Sequence, residues 1–308
     1  MKMYKPLISI IIPNYNHQDY IEQRIQSVLN QSYDNKEIIL LDDASSDDSP
    51  EILEKYKNHK DVKHLEINKI NSGSSFIQWQ KGISLAKGEW VWIAESDDYA
   101  DTDFLNTLVL NIKDDIGLVY CSSKIVDDKG NDTILWGFSS MPESETYHEF
   151  KNDFISDGNS FIDRYMIKDN FIPNASGVIF RKSLIDETIF SLITNKKLLG
   201  DWLFWIDLIK KTKLAYIAQP LNYFRTHLQT VRSISEKINI QFKEYFYILD
   251  YFSYSSKKKE QAIDRLIYLY LHLSNVSKED KRRFFKLIIK NKRLMYYYKS
   301  KINKRKNT

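Results

Sequence analysis

Apolar positions come in two alternating rhythms along the first hundred residues. Leu7 to Ile12 is aliphatic except for Ser9 and is stopped by Pro13, a residue with no N–H to offer a strand. Glu37 to Leu41, Val62 to Ile67 and Trp90 to Ala94 are further short apolar runs, and runs this short predict strands covered on both faces. Between them the spacing changes. Ile21, Ile25, Val28 and Leu29 form one helical stripe, with Glu22, Arg24 and Gln26 as polar residues between them. Ser49 is the expected cap of a second helix, with Pro50 at its first position and Ile52, Leu53 and Tyr56 on its buried face. After the polar turn Asn71 to Ser75, a third stripe of Phe76, Trp79, Ile83 and Ala86 runs until Gly88. The order is β-α-β-α-β-α-β, which predicts an α/β fold with a mostly parallel sheet, right-handed crossovers and helices on both faces.

Beyond Tyr99 the alternation loosens. Phe104 to Ile112 predicts a helix, Gly117 to Ser122 a strand, and Asp128-Lys129-Gly130-Asn131 a hairpin turn. Residues 139–170 are polar and irregular apart from a short helix around Phe161 to Met166, the pattern of either a lid or a variable surface insertion. Gly177 to Arg181 is a strand, Gly200-Asp201-Trp202 opens an apolar helix to Lys211, and Leu214 to Ala218 is the last strand expected. From about Ser235 the pattern is aromatic and helical, with Phe242, Phe246 and Leu249, then Ile263, Leu266, Ile267 and Tyr270 as stripes. Trp202, Trp205 and the single cysteine, Cys121, read as core residues.

The polar residues collect where the strands stop. Asn14-Tyr15-Asn16 follows the first strand, Asp42-Asp43 the second, and Glu95, Asp97 and Asp98 the fourth. Parallel strands bring those ends to one edge, where open α/β sheets bind ligands. Three carboxylates so close together call for a compensating cation, and hard oxygen donors favour Mg2+ or Mn2+. The plainer alternative is a solvated acidic turn capping the next helix. No Gly-x-Gly-x-x-Gly and no Gly-Lys-Ser/Thr follows the first strand, which argues against a dinucleotide oxidoreductase or a P-loop enzyme.

Composition narrows the picture further. With 308 residues, 43% hydrophobic, the chain has enough apolar mass for a large core and a smaller appendage. One cysteine excludes an internal disulfide framework and fits a reducing, cytoplasmic setting. No apolar stretch is long enough to span a bilayer. The net charge of +4 hides an asymmetry, because residues 281–308 hold twelve Lys or Arg and no acid, leaving the rest acidic. Such a tail points to nucleic acid or an anionic membrane surface, or else to a solvated chain end.

Several segments together resemble the family 2 glycosyltransferases: Ser9 to Asn16, Ser27 to Tyr33, Glu37 to Asp47, Ala94 to Asp98, Pro173 to Gly177, Gly200 to Trp202 and Tyr223 to His227. The resemblance covers roughly residues 7–232 and implies the GT-A fold, with a helical C-terminal extension over 233–308. It implies an inverting transfer of a sugar from a nucleotide diphosphate donor, a UDP-sugar, to a hydroxyl of a glycan or lipid-linked acceptor. By the same resemblance Pro13, Tyr15, Asn16 and Asp43 would hold the nucleotide and Glu95 would face the ribose. Asp97 matches the metal-binding acid of the Asp-x-Asp motif, His227 would reach the metal or diphosphate, and Asp201 matches the general base. Two positions depart from the pattern: Glu95 stands where the motif begins with Asp, and Trp79-Gln80-Lys81-Gly82 replaces a common Arg-Asn-x-Gly.

Acid-assisted metal chemistry agrees with that expectation, since a divalent ion held by carboxylates stabilises charge developing on a diphosphate and an Asp can deprotonate an attacking hydroxyl. Asp201 has a second reading, as the N-cap of the helix that begins at Trp202, and His227 one as an ordinary loop histidine. For the chain as a whole, the expected setting is cytoplasmic, at the inner face of the membrane if residues 281–308 contact anionic lipid, with nucleic acid not expected as a partner. The rival function is a non-catalytic nucleotide-sugar or nucleic-acid binding protein.

Overall fold

A computed structural model of the chain describes residues 4–133, 148–167, 169–226, 234–251 and 277–289, with 266–267, 269–270, 295 and 298–299 beside them. Four parallel strands, β1 (Ile8–Asn14), β2 (Lys36–Asp42), β3 (Val62–Ile67) and β4 (Trp90–Ile93), lie in the order β3-β2-β1-β4. The helices α1 (Ile21–Leu29), α2 (Ser49–Glu54) and α3 (Ser75–Leu85) connect them.

Every residue of β1, β2 and β4 is buried: the apolar side chains alternate into two layers, and buried polar ones such as Ser9 and Glu37 pair with each other at 2.6 Å. Ile11, Ile39, Leu41, Val91 and Ile93 face α3 and its Trp79, together with Trp205 of a later helix. Ile8, Ile10, Ile12, Ile38, Leu40, Trp90 and Trp92 face the other way, onto Ile21, Ile25 and Val28 of α1 and onto Phe104 and Leu105. Close approach of α3 to the sheet depends on Gly82, where an added Cβ would come within 2.3 Å of Ile11 Cγ2.

The second half of the sheet is mixed. After β5 (Tyr99–Ala100) and α4 (Phe104–Leu110) come β6 (Ile116–Val126), β7 (Phe154–Asp157), β8 (Val178–Arg181) and β9 (Lys213–Arg225). The late strand β8 inserts antiparallel between β4 and β6, while β9 runs parallel to β6 and carries β7 and β5 on its other edge. The turn at 128–131 forms as expected, with Gly130 in the left-handed region (φ 85°) and an antiparallel bridge between Val126 and Asp132.

Three expectations need correcting. Ser49 is the first residue of α2, not its cap; the preceding residue is Asp48, and the Ser49 amide is met by Asp47 Oδ1 at 3.0 Å. The 139–170 stretch is not irregular throughout, since it contains β7, then α5 (Gly158–Phe161) continuing into a π-helical turn over Ile162–Met166. The last strand does not stop at Ala218. A register shift near Pro220 absorbs the missing N–H, and β9 continues to Arg225.

Helices α6 (Thr188–Ile193), α7 (Gly200–Ile209) and α8 (Ile234–Tyr251) complete the α3 side, and Phe242, Tyr245, Phe246, Ile248 and Leu249 of α8 belong to the same apolar layer as Trp202 and Trp205. A last helix, α9 (Lys278–Ile289), adds Phe284 to it. Among the described residues no helix is long and apolar enough to cross a membrane.

Candidate active site

The carboxyl ends of β1, β2 and β4 lie side by side, with Asn14 in register with Asp42 and Ala94 N–H bonded to Ile11 O at 2.8 Å. Asn14 Nδ2 donates to Asp42 Oδ2 (2.7 Å), and Asp42 in turn accepts from the Ser45 amide and hydroxyl. These bonds shape the two loops. Asn16 and Ala44 both sit in the left-handed region (φ 56° and 60°), and the Asn16 amide donates to Ser45 Oγ while Asn16 Oδ1 accepts from Ser46 N–H. Pro13 is buried at the end of β1, whereas the Tyr15 ring is exposed beside it.

Asp43 is buried, and its carboxylate is the hub of a polar pocket. Oδ1 accepts from Asn68 Nδ2, the Ser72 amide and Gln78 Nε2 at 2.8–2.9 Å, and Oδ2 accepts from Ser72 Oγ at 2.7 Å. Lys81 bridges from Asn68 Oδ1 to Glu66. Within Trp79-Gln80-Lys81-Gly82, Trp79, in place of the Arg, and Lys81, at the variable position, both work toward this edge.

The acidic turn after β4 is held from beneath. Trp79 Nε1 donates to Glu95 Oε1 at 2.8 Å, and the Glu95 amide donates to Ser176 Oγ. Burial first, and then the charge of Asp97, push the Glu95 carboxyl up to about 8. Asp98 is raised for the same two reasons; its Oδ1 accepts from the Arg225 amide at 2.8 Å. Arg225 also donates through Nε to Asp97 O (2.8 Å) and through the guanidinium to Gln23 Oε1 and Asp128 O. On the other side Arg24, wholly buried, donates through Nε to Glu95 O and stands 3.9 Å from Asp98 Oδ2. Burial lowers its guanidinium to about 10, against the opposing pull of Asp98, Asp97 and Glu95, so it stays cationic at neutral pH.

Arg24 corrects the reading of α1. It lies on the buried stripe at i+3 from Ile21 and i−4 from Val28, not on the solvent face. Arg225 was legible only as part of a motif, because its role depends on β9 running seven residues past the expected stop. Ser176, too, was legible only within a motif, Pro173 to Gly177, and nothing in the local sequence around Gln78 marks it as part of this edge.

Asp201 sits in the first turn of α7, whose preceding residue is Leu199, so it is not the N-cap. Oδ1 accepts from the Trp202 amide (2.8 Å) and Oδ2 from Asn170 Nδ2 (2.9 Å). Burial raises the carboxyl to about 7. The preceding Gly200 abuts Phe76 at the start of α3, where a Cβ would come within 2.5 Å of the ring. Trp205 and Phe204 of α7 meet Trp79 at centroid distances of 6.0 and 5.6 Å. One helix, α3, therefore joins the Asp43 pocket, Glu95 and the turn of Asp201. Trp202 and Trp205 are core residues, as is Cys121, whose thiol burial pushes up to about 12. His227 lies outside the described residues.

The donor chemistry at the acidic turn suits a hard divalent ion. Asp97 is only partly buried, and its charge raises two neighbouring carboxyls, a repulsion that a cation relieves. Among the described residues no group of three His, Cys, Asp or Glu forms a closed metal cage. An ion here would take few protein ligands, as Mg2+ does when substrate phosphates complete its shell.

A three-layer α/β sheet with its polar strand ends gathered on one edge defines the class, and the comparisons specify it. The sequence profile of glycosyl transferase family 2 matches residues 9–171, over half of the chain, so this protein belongs to that family and is a glycosyltransferase. TuaG of Bacillus subtilis (strain 168), provisionally named a teichuronic acid biosynthesis glycosyltransferase, is 33% identical over 176 residues, covering 56% of this chain and 69% of TuaG. The poly(ribitol-phosphate) beta-N-acetylglucosaminyltransferase TarP of Staphylococcus aureus (strain N315) is 28% identical over 223 residues, 70% of this chain and 62% of TarP. In structure the chain resembles residues 1–349 of S. aureus TarS in complex with UDP-GlcNAc, with a TM-score of 0.63 at 20% identity over 91% of this chain and 79% of that one. The fold is GT-A.

Proposed function

We propose that the protein transfers a sugar, with inversion, from a UDP-sugar to a hydroxyl of a glycan or lipid-linked acceptor, with Asp201 as general base and Asp97, together with His227, holding a Mn2+ or Mg2+ ion. The observation that carries the reading is the placement of Asp201, in the first turn of the helix whose Gly200 abuts α3, the helix that also donates to Asp43 and Glu95; burial raises its carboxyl to about 7. A base of that affinity is ionised for part of the population at neutral pH and still strong enough to take a hydroxyl proton. Pro13, Tyr15, Asn16 and Asp43 would hold the nucleotide and Glu95 the ribose. Support for a UDP-sugar comes from the TarS complex with UDP-GlcNAc, and for a divalent ion from a mannosyltransferase of Pyrobaculum calidifontis solved with GDP-Man and Mn2+.

In this reading the attacking hydroxyl gives its proton to an oxygen of Asp201 as its own oxygen bonds to the anomeric carbon and the diphosphate departs. The bound ion would supply charge stabilisation to the leaving diphosphate. Arg24 and Arg225 keep the acidic turn from flying apart before ligand binds, since each bonds to main-chain oxygens of residues 95–97. The catalytic unit would span residues 1–232 and the helical extension 233–308, in the cytoplasm. Lys281, Arg282 and Lys286 of α9 are exposed next to Ile289, itself 62% exposed, which supports contact between this end of the chain and an anionic bilayer.

A thermal-shift panel of UDP-GlcNAc, UDP-glucose and GDP-mannose, each with and without Mn2+, tests the donor and the metal together. A ligand at about 100 times its Kd stabilises by roughly 2.7 kcal/mol. In Asp97→Ala the Mn2+-dependent part of UDP binding by calorimetry should vanish; binding with unchanged affinity and metal dependence would remove Asp97 from the metal site.

A further inference from the structure

Two adjacent residues of α8, Glu244 and Tyr245, grip the segments that hold Asp201. Glu244 is 7% exposed, and its carboxylate accepts three main-chain N–H groups in a row: Oε1 from Lys197 (2.6 Å), Oε2 from Leu198 (3.0 Å) and Leu199 (2.8 Å). These amides immediately precede α7, and Leu199, the residue at its N-cap, has no side-chain acceptor to offer. A carboxylate there also complements the positive end of the helix dipole. Tyr245 works on the other segment. Its hydroxyl donates to Ile167 O (3.0 Å), and its ring packs on Trp202, whose indole N–H donates to Met166 O (2.9 Å).

Both oxygens of Asp201 depend on these grips. Oδ1 is met by the Trp202 amide in the turn that Glu244 caps, and Oδ2 by Asn170, three residues past the carbonyl that Tyr245 holds. We infer that α8 positions the base for transfer, Glu244 by fixing the first turn of α7 and Tyr245 by anchoring the strand of chain that ends in Asn170. The inference rests on Asp201 being the base. Both act on the segments that flank Asp201 and not on the reacting atoms, so both are positioning residues. A local Ser or Asp would be the simpler way to start this helix, whereas a carboxylate reaching in from a distant helix also fixes the direction of the carboxylate in the next residues.

The test follows UDP release from UDP-GlcNAc with Mn2+ and water as acceptor, alongside amide exchange of the full chain without substrate. Glu244→Gln keeps the shape but not the charge or the second acceptor. It should lower kcat at least tenfold with donor KM within twofold, and speed exchange of the 197–202 amides. Glu244→Asp, which keeps the charge on a shorter arm, should recover part of the rate. In an Asp201→Asn background Glu244→Gln should cost nothing further, because its effect runs through Asp201. A wild-type rate in Glu244→Gln, or an equal fractional loss in both backgrounds, overturns the inference. Unchanged exchange at 197–202 overturns it whichever donor the enzyme uses. An Asp201→Asn enzyme at the wild-type rate instead sinks the base assignment, a separate result. If Glu244→Gln does not fold, Tyr245→Phe carries the test, since it deletes one hydroxyl and should give the same loss confined to kcat; a wild-type rate there counts against the role of α8.

Discussion

Substituting Asn for Asp201 separates what its burial does to stability from what it does to transfer. The Asn carbonyl can still accept from the Trp202 amide, but its NH2 then faces Asn170 Nδ2, and Asn170 Oδ1 is already engaged by the Ile172 amide at 3.1 Å. One bond is lost at every pH, a cost of about 1–3 kcal/mol. Against that stands the proton affinity. The carboxyl has an ordinary value of 3.8 and sits at about 7 when folded. Between those values the folded state holds a proton that the unfolded state has released, so the contribution is fully present below 3.8 and is lost as pH rises through about 7. Each unit amounts to about 1.4 kcal/mol, or about 4 kcal/mol across the window as an upper bound for a site with some exposure.

The Asn variant has no such loss. Its melting temperature should lie below the wild type near pH 4.5, gain on it by about 2 °C per pH unit for a chain of this size, and run parallel above about 7. Glu95 and Asp98 act alike in both proteins and cancel in the difference. Calorimetric scans from pH 4.5 to 8.5 read this directly. Melting curves that stay parallel over the whole range would refute the raised affinity. In the same variant transfer should fall by roughly 10²–10⁴-fold with donor affinity retained, and wild-type activity should decline as pH drops below about 7 because the base becomes protonated.

Other expectations follow from the same contacts. Arg24→Met leaves Asp98 buried without its nearest cation and should cost about 3–5 kcal/mol in urea denaturation; a loss under about 1 kcal/mol would mean that Asp98 is neutral in the folded protein. Trp79→Phe removes the donor to Glu95 Oε1 and should cost about 1–3 kcal/mol, with weaker UDP binding by calorimetry if Glu95 meets the ribose. Gly158→Ala would put a Cβ 1.7 Å from the Ile209 carbonyl, a backbone atom that cannot yield, so the melting temperature should drop by several degrees. Joint replacement of Lys281, Arg282 and Lys286 by Glu should abolish sedimentation with phosphatidylserine vesicles; equal sedimentation would dismiss the lipid contact.

The sequence by itself determined the parallel half of the sheet and the edge where the polar strand ends collect. Local patterns suffice there, because each strand from β1 to β4 is joined to the next by a helix, and each helix has an apolar stripe only a few residues from the strand it covers. Asn16, Asp43, Glu95 and Asp97 could be named for the same reason: they lie within a few residues of a strand end. Tertiary structure alone decided the rest. That β8 would enter between β4 and β6, and that β9 would pass Pro220 to bring Arg225 under Asp97, depends on pairings between segments far apart in the chain. Arg24 looked polar because a stripe argument ranks residues by type, whereas burial of its charge is repaid by Asp98, a partner that no neighbouring position announces. Asp201 could be named from its motif, but its raised proton affinity could not. That property comes from desolvation where separate stretches of chain close around the carboxyl, and it outweighs the lowering effect of the bonds from the Trp202 amide and Asn170.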